Sequence, residues 1–252
     1  MKADNDDPAI LTMRALITRP RAEAEALAAL LARQGIDAVV EPMIEIAERR
    51  AVLPNLGGVQ AMLCTSANGV RALARASAER GVPLFAVGDA TARTANDAGF
   101  RTVESAGGDV DDLARLVGQR LRPADGRLLH IAGSEVAGDL AGALGARGFA
   151  VERVVLYEAR PVVALSPAAT QLIDERQIAL ALFFSPRTSA IFASLIEAAG
   201  VADGLAATSA LSISAAADAG LAALPFRERL IAAAPTQAAL VALVAPFAGQ
   251  PA

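Results

Sequence analysis

The fold is decided by a stretch that occurs twice, and the second copy, from Arg127 to Arg160, reads RLLHIAGSEVAGDLAGALGARGFAVERVVLYEAR. It follows the pattern of Arg14 to Ala47 without a gap, at a constant offset of 127 − 14 = 113. The matching pairs include Leu16 with Leu129, Leu27 with Leu140, Leu31 with Leu144 and Gly35 with Gly148. The repeat predicts two related structural units in one chain.

Each copy has the pattern of a strand, a helix and a second strand. In the first copy, Ala15 to Thr18 is a short apolar run, and leucines then recur at helical spacing. Gly35 follows them, as glycine often does just past a helix end. Val39 and Val40 open another extended run. Alternating strands and helices favour parallel sheets covered on both faces, so we predict an α/β protein of two similar domains.

Length, charge and composition exclude several classes of protein. At 252 residues the chain suits two domains, and its net charge of −4 does not indicate a nucleic-acid surface. The alanine-rich stretches 205–224 and 231–248 contain polar residues, so we predict no membrane span. The acidic start MKADNDDPAI lacks the segments of a secretory signal. We therefore expect a disordered leader and a cytoplasmic protein.

An extended segment closes each copy of the repeat. Residues 43–47 alternate between apolar and polar, and residues 155–159 are their counterpart in the second copy. Two extended segments at matching positions could pair as a two-stranded ladder that joins the domains. We predict a hinge there.

Several predicted strands run into a helix through small or polar residues. Ser66 follows one apolar run and Ser185 follows its repeat, each at a favoured helix N-cap position. Gly88 and Gly107 follow two further strands, and Thr91 adds a hydroxyl in a first helical turn. Such turns expose backbone N–H groups that bind anions, although capping alone also explains the serines. Because ligands of open α/β sheets bind at the strands' carboxyl ends, we expect the site in a cleft between the domains.

The usual signatures of catalytic and metal sites are missing. The sequence has no phosphate-binding loop, no HExxH, no paired CxxC and no GxGxxG after a strand. Cys64 lies in an apolar run and is predicted to be a buried core thiol. His130 takes the position of Ile17 in the repeat, which favours a strand histidine over a catalytic base. The aspartates near Asp109 favour a helix start over a metal site.

An ordered set of motifs along nearly the whole chain resembles the uroporphyrinogen-III synthase family. Each motif is weak alone, but the order of the set is specific. The motifs are LITRP at 16–20, EPMIEI at 41–46, TSANGV at 65–70, AVGDATA at 86–92, LYEARP at 156–161, FFSPRTSAIF at 183–192 and APTQAAL at 234–240.

The resemblance implies a fold and a reaction. The fold has two α/β domains joined by a two-stranded β ladder, with residues 1–42 and 161–252 in the first domain and 43–160 in the second. The reaction is that of a cyclising hydro-lyase in tetrapyrrole (haem) biosynthesis. It closes hydroxymethylbilane, a linear tetrapyrrole octacarboxylate, to uroporphyrinogen III with loss of water and inversion of the last pyrrole through a spiro intermediate. No cofactor or metal is implied, and we expect a monomer.

The resemblance also implies site residues. Tyr157 is a candidate proton donor to the departing hydroxyl, but a packed strand tyrosine with a solvated tip remains the alternative. Thr91 is the second catalytic candidate. The family's binding residues match Arg19, Pro20, Ser66, Asn68, Gly88, Ser185, Pro186, Arg187 and Thr188. The strand-to-helix turns add Asp89, Ala90, Gly107, Gly133 and Ser214.

Two loops depart from the family pattern, and one other function stays open. Ser214, Ala215 and Ala216 stand where the family has glycine and paired threonines, and Ala132 stands where arginine is frequent. These loops could bind substrate differently. The alternative function is a non-catalytic, two-lobed binding protein for a small anionic ligand.

Overall fold

A computed structural model describes residues 13–49, 53–135 and 138–247. The predicted leader lies outside these residues. The strands are β1 (Arg14–Ile17), β2 (Asp37–Val40), β3 (Ile44–Glu48), β4 (Val59–Cys64), β5 (Leu84–Ala86), β6 (Val103–Ser105), β7 (Arg127–Gly133), β8 (Val151–Pro161), β9 (Leu180–Phe183), β10 (Ser209–Ser212) and β11 (Glu228–Ile231). The α-helices are α1 (Arg21–Ala32), α2 (Ala67–Ala76), α3 (Asp89–Asp97), α4 (Val110–Arg120), α5 (Leu140–Gly145), α6 (Pro167–Asp174), α7 (Pro186–Ala199), α8 (Ala215–Ala219) and α9 (Gln237–Ala242).

The chain divides into two compact units. Unit 1 takes the described residues up to Glu45 and from Pro161 onward, and unit 2 takes Ile46–Arg160. The sheet of unit 1 has the strand order β11-β10-β9-β1-β2, and each of its pairs is parallel. Its central strand β9 is buried along its whole length, as expected for a parallel strand covered on both faces.

The second sheet has the strand order β3-β8-β7-β4-β5-β6. The pairs from β8 to β6 are parallel. At its edge, β3 and β8 run in opposite directions, since Val162 N–H donates to the Met43 carbonyl while Arg49 N–H donates to the Leu156 carbonyl. The two extended segments of the repeat thus pair, and their ladder is continuous with a sheet. The prediction of an α/β fold with parallel sheets is confirmed.

The two copies of the repeat differ at their last strand. The first copy forms β1, α1, β2 and β3, with a break between the last two strands at Glu41 to Met43. The second copy forms β7, α5 and a single long β8. Pro42 lies in the break and has no N–H to give to a ladder, which accounts for the interruption in the first copy.

Apolar residues cover both faces of each sheet. In unit 1 one cluster centres on Phe183 and Phe192 and the other on Leu27 and Leu182. The sheet of unit 2 likewise has an apolar cluster on each face. Cys64 is buried there, and burial raises the pKa of its thiol to about 12, which confirms a buried core thiol. None of the helices in the described ranges has the length and apolar character needed to cross a bilayer.

Candidate active site

Three of the strand-to-helix turns predicted from the sequence lie at the carboxyl edge of the unit 2 sheet. Ser66 is the N-cap of α2, and its hydroxyl accepts a hydrogen bond from Gly69 N–H at 3.1 Å. Its predicted capping role is therefore confirmed. The Asn68 side chain, in the first turn of the helix, accepts from Arg71 at 2.9 Å. Ser66 also lies next to the phenol of Tyr157, which is described below.

The turn from β5 to α3 is more open than its neighbours. Gly88 is the N-cap of α3 and brings no side chain to the helix's first N–H groups. A Cβ at Gly88 would lie 3.8 Å from the Gly108 carbonyl, its nearest neighbour. Asp89 accepts a hydrogen bond from Ser105 at 2.7 Å, and Thr91 is only 5% exposed. This turn leaves room for a ligand next to uncapped backbone donors.

The turn from β6 to α4 combines a left-handed glycine with a strong helix cap. Gly107 has φ +69°, a conformation that favours glycine. Asp109 caps α4 and forms a capping box with Asp112. Hydrogen bonds from the Asp109 backbone and from Arg115 lower the pKa of Asp112. The aspartates thus start a helix, as predicted, and the described residues hold no cluster of three or more acidic, His or Cys side chains suited to a metal ion.

Tyr157 on β8 is buried, and its hydroxyl lies 2.7 Å from Ser66 Oγ. Gly133, predicted to bind substrate, is also buried and lies beneath the phenol ring. Tyr157 is therefore both a packed residue and a hydrogen-bonded one. The structure brings together the hydroxyls of two predicted site residues.

His130 lies on β7, inside the sheet of unit 2 and close to this edge. The side chain is 3% exposed, and neither ring nitrogen has a hydrogen-bond partner in the described part of the chain. Burial, with a smaller contribution from the charge of Arg153, lowers its pKa from 6.5 to about 4. A histidine buried within a strand is what the repeat predicts.

Unit 1 carries a second set of predicted residues at the corresponding edge of its own sheet. Ser185 caps α7 by accepting from Thr188 N–H at 3.2 Å, with Pro186 in the first turn. Thr188 is buried, and its hydroxyl donates to the Ser185 carbonyl at 2.9 Å. The predicted cap at Ser185 is confirmed. Arg187 is half-buried in the same first turn.

The remaining predicted residues of unit 1 are Arg19, which contacts other side chains of the unit, and Pro20 and Ser214, which occupy helix N-cap positions. Arg19 donates to Gln237 at 2.7 Å, and its guanidinium stacks over Phe184 at 4.4 Å from the ring centroid. Pro20 precedes α1 as its N-cap, and Ser214 caps the short α8.

The structure groups the predicted residues into two sets. Unit 2 holds Ser66, Asn68, Gly88, Asp89, Ala90, Thr91, Gly107, Gly133 and Tyr157. Unit 1 holds Arg19, Pro20, Ser185, Pro186, Arg187, Thr188 and Ser214. Nearly all of these residues lie at or just after the carboxyl end of a parallel strand, which is where α/β proteins bind ligands. Tyr157 lies within β8, beside the carboxyl end of β7.

Two contributors at the unit 2 edge were missed by sequence reasoning. Gly69 lets α2 approach β7 closely, since a Cβ there would lie 3.2 Å from the Ile131 carbonyl. Leu156 is an extra residue in β8 that changes the register next to Tyr157. The sequence signal for Gly69 is its position three residues after the N-cap Ser66. The signal for the extra residue in β8 is weaker, namely two large residues, Leu156 and Tyr157, in succession.

Comparisons with known proteins agree with this architecture. A model of the family described as uroporphyrinogen-III synthase HemD matches residues 25–242. The uroporphyrinogen-III synthetase structure from Helicobacter pylori 26695 is 16% identical at a TM-score of 0.65, covering 93% of this chain and 99% of that chain. A mutant uroporphyrinogen III synthase from the extremely thermophilic bacterium Thermus thermophilus is 18% identical at a TM-score of 0.50, covering 93% and 97%. No curated protein matches the sequence.

The sheets and their turns define a two-unit α/β protein with polar strand-to-helix turns in both units. The structural likenesses show this fold, and the family match covers most of the chain. The chain belongs to the uroporphyrinogen-III synthase family, whose members are cyclising lyases.

Proposed function

We propose that this protein converts hydroxymethylbilane to uroporphyrinogen III, closing the ring with loss of water and inversion of the last pyrrole. The observation that carries the proposal is the family match over residues 25–242. The substrate is a flexible octacarboxylate built from electron-rich pyrroles. The pyrroles supply the reactivity, so the protein's task is to hold one geometry of the chain.

The strand-to-helix turns supply donors for the substrate's carboxylates in this proposal. The first turn of α3 offers backbone N–H groups that its Gly88 N-cap leaves uncapped. The first turn of α2 offers further N–H groups beyond the one that Ser66 satisfies. Such donors stabilise negative charge without requiring a cationic side chain at each carboxylate.

Tyr157 is the proton donor in this proposal. When the C–O bond of the hydroxymethyl group breaks, the oxygen takes the phenol proton and leaves as water. The last pyrrole attacks the carbon left behind through the α carbon that already carries its methylene bridge, which gives the spiro intermediate. The bond between that bridge and the α carbon then breaks, and the bridge carbon bonds to the other α carbon of the same pyrrole, which inverts the ring. The proton lost when the closed ring regains its aromatic pyrrole returns to the phenol oxygen, so the enzyme ends unchanged. The support is the placement of the phenol within hydrogen-bonding distance of Ser66 at the carboxyl edge.

A two-isomer assay tests the function. Hydroxymethylbilane closes spontaneously to the I isomer, so added protein should raise the III isomer above that background. The same yield is expected with a metal chelator present and no nucleotide added, because the sequence carries no metal-ligand or phosphate-loop pattern. A non-catalytic binding protein would protect hydroxymethylbilane from ring closure or leave only the I isomer. That outcome would refute the proposal.

The same proposal includes a monomeric enzyme that works in the cytoplasm. The support for both expectations is membership of the family. Sedimentation at the assay concentration should give a single species at the chain mass of 25.7 kDa.

A further inference from the structure

Strand β8 carries a bulge where it passes the end of β7. Ala132 pairs with Val155, but the next residue, Gly133, pairs with Tyr157, so Leu156 is an extra residue. A bulge re-aims the side chains that follow it. Leu156 and Tyr157 accordingly pack into one apolar cluster under α2 and α3, although adjacent strand residues normally face opposite sides.

The bulge places the phenol ring directly over Gly133. A Cβ at Gly133 would lie 2.8 Å from Cε2 and Cζ of Tyr157 and 3.1 Å from its hydroxyl oxygen. The carbonyl of Gly133 is also fixed, since it accepts a hydrogen bond from Arg153 at 2.7 Å. Any larger residue at this position would have to push the ring away.

Ser66 holds the other end of the phenol. Its Oγ lies 2.7 Å from the Tyr157 hydroxyl and accepts from Gly69 N–H, so the helix fixes the serine that contacts the phenol. The close approach of α2 to β7 depends on Gly69, whose Cβ position is 3.2 Å from the Ile131 carbonyl. One hydroxyl therefore starts a helix and orients a tyrosine.

We propose that Ser66, Gly133 and the bulge at Leu156 form a tyrosine seat that fixes the phenol of Tyr157. Ser66 and Gly133 then act on the reaction as positioning residues through that phenol, rather than as substrate contacts. This inference rests on the proposed function, in which Tyr157 donates the proton. It deepens that function by assigning roles to two residues that do not themselves react.

The chain offers a spectroscopic test that needs no substrate. Tyr157 is the only tyrosine and there is no tryptophan, so the tyrosine band of the near-ultraviolet circular dichroism reports this one side chain. Gly133→Ala should weaken that band because the ring is displaced. The matched control is Gly145→Ala at the end of α5, where an added Cβ has no neighbour within 4 Å. The control should keep the wild-type band.

A kinetic test separates positioning from helix capping. Ser66→Ala should lower III-isomer formation by roughly tenfold, the factor that one hydrogen bond is worth, and Ser66→Thr should restore it. In a Tyr157→Phe background, Ser66→Ala should cost nothing more, because its effect passes through the missing hydroxyl. Asp109→Ala controls for a lost N-cap in the same unit, at α4, and should leave the isomer ratio unchanged.

Two outcomes would overturn the proposed tyrosine seat. One is a wild-type tyrosine band in both Gly133→Ala and Ser66→Ala, and the other is an equal loss from Ser66→Ala with and without the Tyr157 hydroxyl. If Gly133→Ala does not fold, the Ser66 variants decide the matter alone. A wild-type protein that makes no III isomer refutes the proposed function instead, and the tyrosine band still tests the seat.

Discussion

At the scale of single residues, the hydroxyl of Ser66 shows how one atom serves both stability and function. One of its two acceptor lone pairs takes the Gly69 N–H, and the hydroxyl also shares a hydrogen bond with the Tyr157 hydroxyl. Losing the cap alone typically costs about 1 kcal/mol of stability. A serine variant therefore changes two properties at once, and only a comparison with another cap, such as Asp109, separates them.

His130 gives the clearest prediction at this scale. Its pKa is about 4 in the folded chain, against 6.5 as a reference for the unfolded chain. Between these values the unfolded state binds the proton and the folded state does not, so stability falls as the pH falls. We expect unfolding to become easier by about 2 kcal/mol from pH 7 to pH 5 through this residue alone. Denaturant melts at the two pH values measure the change.

The repeat itself supplies the matching variant. His130→Ile places in the second copy the residue that Ile17 provides in the first. The variant should lose most of the stability difference between the two pH values, because isoleucine does not titrate. If the stability of the wild-type protein and that of His130→Ile changed equally between the two pH values, His130 would not be buried in its neutral form.

At the scale of elements, the strand-to-helix turns were the most predictable part of the site. A serine N-cap followed by a helical pattern is a local signal, and Ser66 and Ser185 both occupy the predicted position. The orientation of Tyr157 was not predictable, because it depends on a bulge in the pairing of β7 with β8. A register shift between strands leaves almost no mark on either strand's own sequence.

The turn before α3 carries the next prediction. Gly88 has an extended backbone that other residues adopt, and an added Cβ would have no close neighbour, so Gly88→Val should fold. Its side chain would nevertheless occupy the space in front of the α3 N–H groups. We expect Tyr157→Phe to slow III-isomer formation by less than about a hundredfold, Gly88→Val to be worse and Thr91→Ala to fall between them.

Both isomers should be scored, since a variant that releases the substrate early raises the I isomer. Gly145→Val is the matched control for a bulky residue at an open glycine. An inactive Tyr157→Phe beside a normal Gly88→Val would mean that one acid, and not the holding of the substrate, dominates the catalysis.

At the scale of the whole molecule, the gapless repeat predicted two α/β units, but it could not predict how the strands are shared. In unit 1, β1 pairs with β9, more than 160 residues later, and lies next to β2 from its own copy. Hydrophobic periodicity describes each strand and says nothing about a partner so distant in sequence. The unbroken β8 did have a sequence signal, since Pro42 of the first copy corresponds to Val155 in the second, but the gapless match of the two copies obscured it.

The division of the chain leads to the last prediction. Both apolar clusters of the unit 2 sheet are built from residues within Ile46–Arg160, a continuous segment of ordinary domain size. A fragment from Ile44 to Pro161, which keeps β3 and β8 whole, should therefore fold alone and unfold cooperatively. It should also keep the near-ultraviolet band of Tyr157, because the complete tyrosine seat lies inside it.

Unit 1 should behave differently, because its β1 and β2 come from one end of the chain and β9 to β11 from the other. A fragment starting at Val162 lacks β1, which pairs with β9, and should remain unfolded until a peptide covering Met13 to Met43 is added. Circular dichroism with and without the peptide measures this. A fragment from Ile44 to Pro161 that melts without cooperativity, or that lacks the tyrosine band, would show that unit 2 and its seat depend on the rest of the chain.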